Sequence, residues 1–302
     1  GGSENITIDM GATTGGAPLA LLGGVFTSSS GRLSILRSST ESEVMVHFSG
    51  GTFNHNSGEL YIFCNPDVKN NVDMLLQIDA EVRLYDLQLA GGNTRSGYWR
   101  YYQTLLGEAG RLVVENNLTI MPGAIGLLGL HSGAIEVHGN VTVNERMMGG
   151  DTEIVFCGGG DQYYAAYDGA VFPYMKVDKA SGAVRTVVND SATFGKFELI
   201  NGDFYAPAGV LAIASLVYVV YDNFVYRGGT YHHNGGELRF AQSVNSGTAR
   251  RQTTVIEVPL ELHDFTITGG RQSSLEYYFD ISDAGKITVT NTFTVKQDVT
   301  GR

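Results

Sequence analysis

The stretch Gly50-Gly51-Thr52-Phe53-Asn54-His55-Asn56-Ser57-Gly58-Glu59-Leu60 returns 178 residues later (228 − 50) as Gly228-Gly229-Thr230-Tyr231-His232-His233-Asn234-Gly235-Gly236-Glu237-Leu238. Carried outward at that offset, residues 21–92 align with 199–270 without a gap, and 19 of the 72 positions are identical. The identities include Phe26/Phe204, Gly31/Gly209, Leu33/Leu211, Ile35/Ile213, Asp86/Asp264 and the pair Gly91-Gly92/Gly269-Gly270. A repeat of this kind decides the architecture, because each copy must bury its apolar positions against a neighbour.

The apolar clusters between the repeated phrases are short, alternating and bounded by Gly, Asn, Asp or Ser. Leu33-Ser34-Ile35, Leu60-Tyr61-Ile62, Leu118-Thr119-Ile120, Val141-Thr142-Val143 and Phe293-Thr294-Val295 are examples. Period-2 alternation with frequent turn residues predicts an all-β chain. Tyr98 to Leu106 holds one helical turn at most.

A phrase of the form x-apolar-polar-apolar recurs with leads at Ile6, Leu87, Met175 and Phe265, separated by 81 (87 − 6), 88 (175 − 87) and 90 (265 − 175) residues. The chain therefore divides into about three and a half modules of ~89 residues within one continuous repeat domain, 1–302. The modules run from about 5–83, 84–173, 174–261 and 262–302. Tandem β-sandwich domains and a parallel β-helix (β-solenoid) both fit such modules. The β-helix is favoured because no linker separates the modules and strands of three to five residues are short for a sandwich. Each module is expected to hold about four coils of ~22 residues, stacked at ~4.8 Å.

Net charge is −11, which argues against nucleic acid as a partner, since phosphate binding needs a basic surface. The longest apolar run, Val210 to Tyr221, is about a dozen residues and too short to span a bilayer. Two cysteines, Cys64 and Cys157, carry no metal-ligand spacing.

The Gly-Gly-Thr-Phe-Asn-His-Asn-Ser-Gly-Glu-Leu phrase, with Leu84-Tyr85-Asp86-Leu87-Gln88-Leu89 after it, resembles the repeats of large bacterial (or archaeal) extracellular β-helix proteins. The phrases at 117–120 and 139–143 share the likeness. Those are adhesin-like, cell-surface repeat proteins. The resemblance implies a fold and an extracellular or cell-surface location, and carries over no catalytic motif.

His55 and Glu59, with His232, His233 and Glu237, are metal-type residues. The two sets are too far apart on stacked coils to share an ion, and Asn56 and Asn234 read as turn residues, so no metal site is assigned. The acidic glycine-rich loops at 65–67, 149–151 and 158–161 make calcium possible as the only cofactor. Four Asn-x-Ser/Thr triplets begin at Asn5, Asn117, Asn140 and Asn189; strand alternation alone accounts for three of them.

Aromatic residues in the unrepeated stretches are the ligand-binding candidates: Tyr98, Trp99, Tyr101, Tyr102, Tyr163, Tyr164, Tyr277 and Tyr278. Such rings give flat contact area with a polar tip, suited to a carbohydrate or a cell-surface protein, or else they plug the solenoid's flank. No catalytic residues are assigned. The expected function is a non-enzymatic extracellular structural or adhesive surface protein. Two alternatives stand beside it: a polysaccharide lyase or glycoside hydrolase on the same scaffold, with its site in 93–109 or 157–174, and a subunit of an extracellular filament or layer. In that last case the terminal coils meet another copy or a neighbouring domain.

Overall fold

The computed structural model describes residues 2–9, 16–37, 43–64, 72–90, 99–121, 127–131, 133–144, 147–166, 169–187, 191–215, 221–242, 250–268, 275–296 and 300–301. Among them every regular element is a β-strand. No helix is long and apolar enough to cross a membrane. The chain forms two compact units, 1–155 and 156–302, and each is a β-solenoid of parallel strands.

In the first unit the strands stack in three columns. Column A runs through Ile6–Asp9, Arg32–Arg37, Glu59–Cys64, Asp86–Ala90, Leu118–Ile120 and Val141–Val143. Column B runs through Leu19–Thr27, Glu43–Asn54, Val72–Ile78, Trp99–Leu106, Leu127–His131 and Met147–Gly150. Column C contains Glu81–Leu84, Arg111–Val114 and Ala134–Val137. The chain visits A, B and C in turn, then returns to A one rung higher.

Register along column A is strict. Ile6 pairs with Leu33, Leu33 with Leu60, Leu60 with Leu87, Leu87 with Leu118 and Leu118 with Val141. By residue number these steps are 27, 27, 27, 31 and 23. In the second unit Ala192, Leu211, Leu238, Phe265 and Phe293 form the equivalent column, with steps of 19, 27, 27 and 28. The repeated segment thus holds three matching rungs per unit, and its coils contain 27 residues rather than the ~22 expected. Column B accounts for much of the difference. Its strands Val72–Ile78 and Trp99–Leu106 have seven and eight residues, longer than the three to five assumed. The 81 residues between Ile6 and Leu87 are three coils. Met175 pairs with Phe197 and, through it, with Phe224, a column that Phe265 does not join. Trp99–Leu106 is a strand and not a helical turn.

Alternation sends every second residue inward. Leu33, Ile35, Leu60, Ile62, Leu87, Leu89, Leu118 and Ile120 are all buried, and they fill the first unit with aliphatic stacks. In the second unit the same columns turn aromatic. Phe197 stacks on Phe224 at 5.5 Å between ring centroids, Phe240 meets Phe265 edge-on at 5.1 Å, and Phe265 stacks on Phe293 at 5.5 Å. Leu211, Ile213 and Leu238 are buried beside them. Truncating Leu60 or Leu238 to Ala is expected to cost ~2–5 kcal/mol, read by denaturant unfolding.

The repeated phrase makes the same corner in both units. Asn56 and Ser57 have φ of 49° and 57°, and Asn234 and Gly235 have 51° and 76°. His55 Nδ1 accepts the Ser57 N–H at 2.9 Å, and His233 Nδ1 accepts the Gly235 N–H at 2.9 Å. The glycine that follows lies against the rung below. A Cβ at Gly58 would stand 2.3 Å from the Ser29 carbonyl oxygen, and one at Gly236 would stand 2.4 Å from that of Pro207. Ser57 has a side chain where its counterpart, Gly235, has none, and a side chain at left-handed φ costs roughly 1–2 kcal/mol. Ser57→Gly is therefore expected to stabilise the chain by up to about 1 kcal/mol after glycine's backbone entropy is deducted. Gly235→Ser should lose a similar amount, and both changes are measured as shifts in the urea midpoint.

Candidate functional site

Outward-facing side chains on a stacked rung have neighbours directly above and below. In both units they join into ladders. At three of the column A strands, the residue at or just before the strand's start supplies a recurring cap. Asn5 Oδ1 accepts the Arg32 N–H at 2.9 Å, Asp86 Oδ1 that of Asn117 at 2.8 Å, and Asn117 Oδ1 that of Asn140 at 3.1 Å. In the second unit Asp264 Oδ1 accepts the Thr292 N–H at 2.9 Å. These bonds satisfy donors at the corners, where the strand ladder is interrupted. They also give Asn5 and Asn117, two of the Asn-x-Thr triplets, a structural role. Asn189 lies outside the described residues.

In the first unit a six-residue ladder of polar and charged side chains runs along column C and the corners that lead from it to column A. His55 Nε2 lies 3.1 Å from Glu115 Oε2. Arg83 donates to Glu115 at 2.7 Å and to Glu81 at 2.8 Å. Arg111 grips Glu136 with two bonds of 2.6 Å and reaches Glu81 at 3.2 Å. Charge alternates from Glu115 through Arg83, Glu81 and Arg111 to Glu136, which avoids the penalty of like charges stacked directly on each other. The bond from Arg83 is the main reason that the Glu115 and Glu81 carboxyls sit below their ordinary value of 4.5. Glu59 is held between Arg32 and Gln88 on the rungs either side. Beside Arg111 and Glu136 a pocket of about 340 Å³ opens, walled by Leu106, Glu108 and Ala134.

In the second unit the outer ladder mixes charge and aromatic rings. Arg185 pairs with Asp161 at 3.3 Å, and its guanidinium carbon stands 3.9 Å from the Tyr205 ring centroid. Tyr205 stacks on His232 at 4.0 Å and 13°, and His232 Nε2 lies 3.4 Å from Asp203. Tyr163 occupies the preceding rung, in register with Arg185, and is 44% exposed. On another face Lys196 lies over the Tyr174 ring at 4.2 Å. Tyr174 donates to Glu198, and Arg227 bridges Glu198 and Glu257 at 3.5 Å each.

The aromatic candidates separate on this frame. Tyr163 faces outward. Tyr164 is fully buried, edge-on to Phe172 at 5.0 Å and to Phe194 at 5.3 Å, so it supplies core and not contact surface. Tyr277 is buried as well and donates to the Thr268 carbonyl at 2.8 Å. Burial pushes the pKa of both phenols up. Tyr278 is half-buried, in register with Thr253. Trp99, Tyr101 and Tyr102 belong to the column B strand between Val72–Ile78 and Leu127–His131. Their side chains, and the whole of Tyr98, lie outside the described residues.

The metal-type residues also find partners in the protein. His55 serves the corner and Glu115; Glu237 holds Arg239 through bonds of 2.8 and 2.7 Å. His233 Nε2 is 4.0 Å from Glu261. Of the calcium-type loops, 65–67 is outside the described residues. The corner 158–161 surrounds the ammonium of Lys179. Comparison with protein-family models, curated proteins and solved structures finds no match for this chain.

Sequence reading missed the ladders because it lacked the coil length. Once that is known the signal is present: Arg32 and Glu59 are 27 residues apart, Arg111 and Glu136 are 25, Glu81 and Arg111 are 30, and Arg83 and Glu115 are 32.

Two outcomes follow for these contacts. Asp86→Ala leaves the Asn117 N–H without its acceptor and is expected to cost ~1–3 kcal/mol, whereas Asp86→Asn keeps the acceptor and most of the stability. The depressed carboxyls of Glu81 and Glu115 bind fewer protons folded than unfolded. Their contribution is therefore complete above about pH 4.5 and is lost as pH falls below it. The double change Glu81→Gln, Glu115→Gln should flatten the acid limb of a stability-against-pH curve while leaving its neutral-to-alkaline shape intact.

Proposed function

We propose that this chain is a non-enzymatic structural or adhesive module displayed outside the cell. The supporting observation is the use of the outer faces: charged and aromatic side chains are tied rung to rung. A surface held in this way is stiff and regularly spaced, which suits a spacer or a multipoint contact. A general acid or base instead needs a pKa moved toward its working pH, and the Glu81 and Glu115 carboxyls move away from neutrality. The contact face we assign is the ladder Asp161, Arg185, Tyr205, His232 with exposed Tyr163 at its end. Ring edges, hydroxyls and paired charges in a row suit a carbohydrate chain or a cell-surface protein laid along the rungs.

Two other readings each have one observation behind them. A polysaccharide-cleaving enzyme would use the pocket beside Glu108, Arg111 and Glu136. End-to-end assembly into a filament or layer would use the strand Lys286–Val295, where Phe293 and Val295 are 57% and 52% exposed. The experiment is a panel of surface polysaccharides, assayed both for retention of the chain and for release of reducing ends. Retention without cleavage, weakened by Tyr163→Ala and unaffected by Glu136→Gln, is expected. Steady release of reducing ends that Glu136→Gln abolishes would sink the non-enzymatic reading. Sedimentation at rising concentration tests the assembly, which Phe293→Asp should weaken.

A further inference from the structure

The corner Gly158–Gln162 in the second unit closes around a cation that the chain itself provides. Lys179 is 1% exposed. Its ammonium donates to the carbonyl oxygen of Gly158, to that of Gly160 at 2.9 Å and to Gln162 Oε1 at 2.6 Å. Three N–H groups meet three oxygens, which uses every donor of the side chain. Gln162 is equally buried, and the Gly158 N–H fixes its carbonyl end at 3.0 Å. The rung carrying Lys179 closes the rest of the corner. Ser181 Oγ donates to the Gly159 carbonyl at 2.7 Å, and the Ala183 N–H reaches Asp161 Oδ1 at 3.0 Å. Without the ammonium, the Gly158 and Gly160 carbonyls would lose this donor and the Gln162 amide oxygen would lose one of its donors, which is costly for buried acceptors.

We propose that this corner is a binding site for a primary ammonium ion, occupied in the native chain by Lys179, so that it closes without an ion from the medium. The donor set supports that ligand class. Three neutral oxygens suit a singly charged ion, whereas calcium takes six to eight oxygens, several of them carboxylate. The adjacent carboxylate, Asp161, is already engaged by Ala183 and Arg185. The inference does not depend on the adhesive reading, and its test uses no surface ligand.

Lys179→Ala removes the ammonium and leaves its three oxygens and the space its side chain filled. Thermal unfolding of the whole chain is followed in choline chloride and in propylammonium chloride at equal ionic strength, with and without a chelator. The native chain should unfold at the same temperature in all of them. Lys179→Ala should unfold several degrees lower in choline and regain at least half of the loss in propylammonium. Lys179→Met, whose apolar chain occupies the space of the lysine stem, should show the loss and no recovery. A Lys179→Ala chain as stable as the native one, or one that gains no more from propylammonium than from choline, overturns the proposal. If the variants do not fold, the native chain is read by amine acylation. Lys179 should then react at least about tenfold more slowly than exposed Lys286 while folded; equal rates overturn the proposal.

Discussion

The rest of this structure depends on parallel strand pairing, which holds its register along column A and shifts at bulges in column B and in the second unit. When Leu33 lies on Ile6 and Leu60 on Leu33, each side chain is committed to the same neighbours above and below. A slip of one residue would turn every inward leucine outward. The corners therefore have to be accurate. The left-handed Asn56 and Asn234, the glycines pressed against the rung below, and the Asx caps from Asn5, Asp86, Asn117 and Asp264 all act there.

Stacking also dictates what the outside can be. An isolated charge on such a face would have a neighbour of arbitrary sign about one strand spacing away. The chain resolves this by alternating sign along the ladder Glu115, Arg83, Glu81, Arg111, Glu136, and by placing cation against ring at Arg185 and Tyr205. The interior has the same freedom of composition under fixed geometry. Leu87 in one copy of the repeat is Phe265 in the other, and Val46 is Phe224. Both kinds of residue stay buried, because a column accepts any side chain that stacks on itself.

Lys179 is a charged residue turned inward. A lysine in a solenoid interior is tolerated because the corner at 158–162 turns three oxygens toward it. The glycine-rich, acidic spelling that suggested calcium is thus the spelling of an oxygen-lined turn, and an oxygen-lined turn does not specify whether an ion or a side chain fills it.

The sequence by itself determined the class of fold, the repeated segment and the inward residues. Those follow from period-2 alternation and from the 178-residue offset, which are local or self-referential patterns. It also placed Asn56 and Asn234 in turns, since few other residues accept left-handed backbone. Tertiary structure alone decided the coil length, because column B strands are longer than the short alternating phrases reveal and the corners vary between 19- and 31-residue steps. With the coil length came everything that depends on it: that Glu59 stands between Arg32 and Gln88, that Arg185 lies over Tyr205, that Tyr163 is outside while Tyr164 is core, and that Lys179 reaches Gly158 and Gly160. Contacts between rungs join residues some 20 to 30 apart in the chain, and a sequence names such partners only after the fold has set the length of a turn.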